Sequence, residues 1–186
     1  AIKPDYADAY SNMGVALQTQ GKLEEAATAC EKALAIQPDN FDAYKNLGAI
    51  LQDHGKLEEA IDAYNTALAI KPDHAEVHRH LSSITRYKPH DFQISKVEGL
   101  LERCDLDDID RCQLHYTFAK MSEDLGRFRV AYENYVAGGA VRQLLLNYNR
   151  EHDERLFAEI KSTALTLKNS TFDPAISKSV QTPVFI

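Results

Sequence analysis

The chain has 186 residues, 28 acidic and 21 basic, for a formal net charge of −7 with no tryptophan and three cysteines. This acidic balance, without a basic stripe, argues against a nucleic-acid binder, which has to neutralise phosphates. No run approaches ~18 consecutive apolar residues and no basic start leads into an apolar stretch, so neither a membrane span nor a signal peptide is expected and the chain reads as soluble; its odd number of cysteines without metal spacing favours a cytoplasmic setting.

Residues 1–6 read as the tail of a preceding repeat, because AIKPD at Ala1–Asp5 recurs at Ala69–Asp73. On this reading the chain is a cut from a longer protein, and its uncapped ends are candidates for self-association. Residues 7–40 and 41–74 are then one 34-residue unit written twice, with twenty of the 34 positions identical and no gap. A fixed period of this size signals stacked supersecondary units. In the second unit Tyr44, Leu47, Ile50 and Leu51 form one apolar stripe at helical spacing, and Leu57, Ala60, Ile61, Tyr64, Ala67 and Leu68 form another. Gly55 separates the two helices by supplying a left-handed residue, and Pro72, like Pro38 before it, prevents either helix pair from running on.

Tyr44, Leu47-Gly48, Gly55, Ala60, Tyr64, Ala67 and Pro72 resemble the tetratricopeptide-repeat signature, and Tyr10, Met13-Gly14, Gly21, Ala26, Cys30, Ala33 and Pro38 match it one unit earlier. Cys30 departs from the pattern, standing where an aromatic residue is usual. The resemblance implies an all-α, right-handed superhelical solenoid of helix-turn-helix repeats that binds proteins or peptides.

The pattern continues less regularly downstream. Residues 75–104 form a degenerate hairpin, with Glu76, His78, Leu81 and Ile84 outlining its first helix and Ser82 in place of the glycine. Asp91 is placed to cap a second helix lined by Ile94, Val97, Leu100 and Leu101. Residues 105–111 are an acidic linker, and 112–145 a further hairpin in which His115, Phe118-Ala119, Gly126, Ala131 and Tyr135 keep the repeat intervals. Gly138-Gly139 predicts a bend or a close helix contact in it. A terminal helix is expected over 150–168, lined by Leu156, Ile160, Ala164 and Leu167, followed by a loop and extended tail over 169–186 that ends in the β-favouring run Ser179–Ile186.

A degenerate hairpin, then HYTFAKMSEDLGRFRVAYENY, a helix and TPVFI also resembles the N-terminal half of bacterial tetratricopeptide-repeat sulfotransferases over residues 75–186. That resemblance implies a catalytic domain whose donor-binding loop lies beyond Ile186. The Gly138-Gly139 pair departs from the family's usual sequence.

Candidate binding residues follow from the first helices, which line the concave groove of such arrays. They are Asp8, Ser11, Asn12, Val15, Gln18 and Thr19 in the first unit, and Asp42, Lys45, Asn46, Ala49, Gln52 and Asp53 in the second. In the third they are Glu76, Arg79, His80, Ser83, Arg86 and Tyr87. An asparagine amide both donates and accepts, so Asn12 and Asn46 at the repeat spacing suit the backbone of an extended peptide, or else support the stack. A carboxylate clamp of the kind some family members use is not expected, since only Lys45 and Arg79 fit it. His74, His78 and His80 crowd together, but no cysteine or carboxylate completes a metal set. Glu24-Glu25 and Glu58-Glu59 begin second helices, where the helix dipole explains them. No catalytic residue, metal or cofactor is expected, and Cys30, Cys104 and Cys112 are expected as reduced thiols on helix faces.

Overall fold

The computed structural model describes residues 5–147 and 150–169, and among these residues the chain is all-helical. It divides into two units, Ala1–Leu146 and Asn147–Ile186.

The first four helices of the first unit are α1 (Asp5–Thr19), α2 (Leu23–Ile36), α3 (Phe41–Asp53) and α4 (Leu57–Ile70). They form two antiparallel hairpins, α1 with α2 and α3 with α4. Gly55 closes α3 at φ 79°, with its own N–H on Gln52 O at 3.0 Å and that of Lys56 on Leu51 O at 2.9 Å. A residue with a Cβ would be strained there. Asn40 starts α3. Its Oδ1 accepts from the Ala43 N–H at 2.9 Å while its Nδ2 donates to Asp8 Oδ1 at 3.0 Å, so one amide both caps a helix and ties it to the preceding repeat.

The apolar stripes pack as their spacing predicts, with one exception. Tyr64, Ala60, Ala67, Leu68, Leu51 and Phe41 are buried in one core with Val77 and Leu81, and Tyr44, Leu47 and Ile61 lie against it partly buried. Leu57 is 45% exposed: it is the first residue of α4, one turn before the helix meets α3 at Ala60. The close approach of the two helices depends on Gly48, where a Cβ would fall 2.6 Å from Cδ1 of Tyr64. In the first hairpin a Cβ on Gly14 would similarly meet Cys30 Sγ at 2.6 Å. The smaller thiol leaves space that Ile50, reaching across from α3, occupies in a cluster with Ala26 and Cys30.

The next helices are α5 (Ala75–Ile84), α6 (Phe92–Leu101), α7 (Asp108–Asp124) and α8 (Phe128–Leu145). Both helices expected over 75–104 form, but their extensive packing is elsewhere: α5 packs on α4 and α7, and α6 on α7. Ser82 stands where Gly14 and Gly48 allow close approach, and the position sixteen residues on is the exposed Glu98 rather than a ring. A hollow of about 360 Å³ lies among Leu68, Pro72, His78, Phe92, Gln93 and Lys96. Asp91 precedes α6 without capping it; its carboxylate accepts the Lys88 N–H at 2.6 Å and closes the turn through Pro89 and His90 instead. The linker is shorter than expected because Asp107 caps α7, accepting from the Asp110 N–H at 2.7 Å. Asp108–Arg111 thus belong to the first turn of that helix. Cys104 lies exposed in the bend after α6 rather than on a helix face, whereas Cys30 and Cys112 are buried thiols.

Helix α8 runs without interruption through Gly138-Gly139, and the pair marks a close contact rather than a break. A Cβ on Gly138 would stand 3.2 Å from Cβ of His115. Ala119 occupies the position of Gly48, and its methyl leaves no room for a ring. Tyr135 is accordingly 38% exposed and donates to Glu123 Oε2 at 3.0 Å, whereas Tyr64 is fully buried.

The second unit contributes α9 (Arg150–Asn169), whose predicted stripe begins with the exposed Leu156 and Ile160, joined by Phe157. The side chains of Ala164 and Leu167, the repeat tail at Ala1–Pro4 and the extended run Ser179–Ile186 lie outside the described residues.

Candidate binding groove

Repeat-to-repeat contacts follow two rules. Each second helix packs on the next first helix, and the first helices α1, α3, α5 and α7 also pack side by side. That inner row is the wall on which the candidate binding residues stand.

Much of the wall's polar chemistry is used between repeats. From α1 to α3, Gln18 Nε2 donates to Asp53 Oδ2 at 2.7 Å and Asn46 Nδ2 donates to Ser11 Oγ at 3.0 Å. From α3 to α5, Lys45 Nζ lies 3.5 Å from Glu76 Oε2, and Gln52 Nε2 donates to Ser83 Oγ at 3.4 Å. Gln52 also accepts from the Tyr64 hydroxyl at 3.0 Å, and the Tyr64 ring stacks on His80 with centroids 5.7 Å apart. Side chains one repeat apart therefore join the first helices, tying their register to polar bonds as well as to the apolar core.

This divides the predicted residues. Ser11 is 2% exposed and holds Asn46, so it faces the neighbouring helix. Tyr87 lies beyond the end of α5 and is buried in the core shared with α6 and α7, with its N–H on Asp124 Oδ2 at 3.1 Å. Asn12, Asp42, Arg79 and Arg86 are exposed, as are Val15 and Thr19, and Asp8 and Asp53 are exposed while accepting from Asn40 and Gln18. Lys45, Asn46, Gln52, Glu76 and His80 are half-buried within the bonded row. The two asparagines are consequently unlike: Asn12 is exposed, and Asn46 spends its donor on α1.

Reading the sequence stopped the groove at the third unit. Tyr116 on α7 stands at the unit position held earlier by Lys45 and Arg79, counted from Cys112, and Lys120 stands at that of Ala49 and Ser83. Carrying the spacing across the linker would have found both. No periodicity points to Arg142, which reaches the same face from α8.

The three neighbouring histidines part company in the fold. His74 packs on the Phe41 ring at 4.7 Å, His78 Nε2 is 2.8 Å from Pro72 O, and His80 stacks on Tyr64. Burial holds all three imidazoles below the ordinary histidine pKa. Among the described residues no group of three His, Cys, Asp or Glu side chains is placed to hold a metal, and no helix is long and apolar enough to cross a membrane. Burial also pushes the Cys30 thiol up to about 11, away from nucleophilic use.

Residues 5–73 match the family of the tetratricopeptide repeat. This segment, 69 of the 186 residues, is similar to a tandem of tetratricopeptide repeats. No curated protein sequence matches the chain. Solved structures share the tetratricopeptide-like fold beyond that segment. PilF of Pseudomonas aeruginosa superposes with a TM-score of 0.62 at 21% identity, over 75% of this chain and 62% of that one, so this chain spans less than two thirds of its length. BtubC from P. vanneervenii gives 0.58 at 20% identity over 79% and 67% of the two chains. MamA from Desulfovibrio magneticus RS-1 gives 0.55 at 21% over 74% and 76%. At these identities the likeness is one of fold, and the fold is that of a tetratricopeptide solenoid.

Proposed function

We propose that the chain is a non-catalytic, cytoplasmic scaffold that holds an extended segment of a partner protein against the row of first helices. Tetratricopeptide repeats are protein-interaction modules, and the observation that supports this use of the groove is the bonded inner row. Its side chains hold one another in register, and Asn12, Asp42 and Arg79 stand exposed along it. A wall ordered before binding loses little further side-chain freedom when a segment docks. The proposed layout is two repeats over 7–40 and 41–74, a degenerate pair over 75–104 and a further hairpin over 112–145.

Replacing Asn12 and Asn46 together by alanine should weaken capture of a partner from lysate while far-UV circular dichroism stays helical. A partner that binds the double variant as well as the parent overturns the groove assignment.

A second reading places the chain as the partner-recruiting region of a larger sulfotransferase. It is supported by the order of features in 75–186, of which the HYTFAKMSEDLGRFRVAYENY stretch forms the α7–α8 hairpin. Reading the gene downstream of the Ile186 codon tests it: a glycine-rich loop with a basic residue and Ser or Thr supports it, and another repeat removes it.

A further inference from the structure

The chain is acidic, yet two arginines on the inner face make no ion pair among the described residues. Arg79 on α5 and Arg142 on α8 are both exposed, and among the described residues neither guanidinium has a hydrogen-bond or ion-pair partner. Other basic side chains nearby lie by acids: Lys45 is shared by Asp42 and Glu76, Lys120 pairs with Asp124 at 2.5 Å, and the charge of Arg86 acts on the same Asp124 carboxyl. Arg79, Tyr116 and Arg142 together line two adjoining hollows of about 310 and 440 Å³. One continues over Ser82, Ser83 and Lys120, and the other over the apolar side chains of Ile109, Leu145 and Leu146. Those three are exposed by 58%, 43% and 65%, large apolar surface next to unpaired cations.

We propose that this place, where α5, α7 and α8 meet, is the anchoring point of the groove for a protein segment that carries an acidic side chain next to an apolar one. The inference rests on the groove reading and names the chemistry of its occupant. A guanidinium presents its donors as a planar fork that matches a carboxylate, and two such forks from different helices hold one acid in a fixed direction. The apolar neighbour then covers Leu145 and Leu146 beside the Tyr116 ring. A nucleic acid fits less well: it brings many phosphates to two free cations on a chain of net charge −7, and finds no further basic stripe to follow.

The test is selection of phage-displayed random heptapeptides on the immobilised full chain, followed by fluorescence polarisation with the enriched peptides on the parent and on Arg79→Gln/Arg142→Gln. Expected are peptides with Asp or Glu adjoining an apolar residue, at least tenfold weaker binding to the double variant, and weakening with salt. Both side chains are exposed, so the variant should keep the parent's circular dichroism and melting temperature. Enriched peptides without acidic residues, equal binding by the variant, or no enrichment above an empty support each overturn the proposal. Peptides that bind with full affinity to Arg79→Gln/Arg142→Gln but lose it on Asn12→Ala/Asn46→Ala overturn this anchor and spare the groove; peptides indifferent to both pairs overturn the two together.

Discussion

The ring of Tyr64 lies where a methyl group on Gly48 would stand, with Cδ1 and Cε1 both 2.6 Å from that position. The same sixteen-residue separation joins Gly14 to Cys30, whereas at the matching pair Ala119 and Tyr135 the ring lies outside and 38% exposed. Gly48→Ala gains about 1 kcal/mol of helix propensity but overfills a packed site at a cost of about 1–3 kcal/mol. Net destabilisation is expected, read as a lower denaturant midpoint with unchanged slope. Ala119→Gly, by contrast, should lose propensity and the packing of one buried methyl without drawing in Tyr135, which lies outside. A Gly48→Ala variant as stable as the parent would show that the ring is free to move.

Leu47 touches two cores, the one around Tyr64 and the smaller one around Cys30 and Ile50. Being partly buried, it should lose on truncation to alanine about 2 kcal/mol, the low end of the range for large-to-small core changes. Equilibrium urea unfolding measures this, and an unchanged midpoint would contradict the placement between two hairpins.

Asn40 uses both ends of its amide, capping α3 and donating to Asp8. Asn40→Asp keeps the cap and loses the donor, leaving two carboxylates face to face. The variant should be less stable than the parent at neutral pH, and Asp8→Ala in the same chain should restore most of the loss. Thermal melts of the four-member double-mutant cycle give the coupling; additive effects would mean that the bond to Asp8 contributes nothing.

The depressed pKa values of His74, His78 and His80 make a pH prediction whose sign is set by burial of the neutral rings. Since the unfolded chain binds these protons first, the stabilisation is present above about pH 6.5, the ordinary histidine value, and is lost as pH falls below it toward the folded values. Melting temperature should therefore drop between about pH 7 and 5. His78→Asn should melt lower than the parent at neutral pH, since the contact with Pro72 O is lost, but show a shallower pH dependence. A parent with flat stability over this interval would overturn the assignment of buried neutral rings.

The regular part of this fold was legible because a repeat states each contact more than once. The faces bearing Ala60, Ala67 and Leu51 could be read from spacing alone, though not that Gly48 meets the Tyr64 ring. Where a unit departs from its copies, spacing no longer determines the packing. Asp91 has the residue type and place of a helix cap, yet a competing turn through His90 takes its carboxylate. Ser11 and Asn46 looked like two independent groove residues because a sequence shows position along a helix but not which neighbour a side chain reaches. Arg142 was missed for the opposite reason: it lies on a second helix, on a face that the repeat pattern assigns to no function.

The handover of α6 from one neighbour to another divides the array in a way the repeats do not. Toward the C-terminus α6 is joined by Ile94, Val97 and Leu100 to the core around Phe118 and Met121. Toward the N-terminus its ties are polar: Lys96 Nζ to Asp73 Oδ1 at 2.8 Å, Gln93 Nε2 to Asn65 Oδ1 at 3.1 Å, and Arg103 just beyond it to Asp73. Apolar joints are not weakened by salt screening, whereas exposed ionic ones are. The outer rank of helices therefore has a salt-labile seam between α4 and α6, bridged on the inner side by α5 alone, and added salt should loosen the solenoid there before it loosens either end.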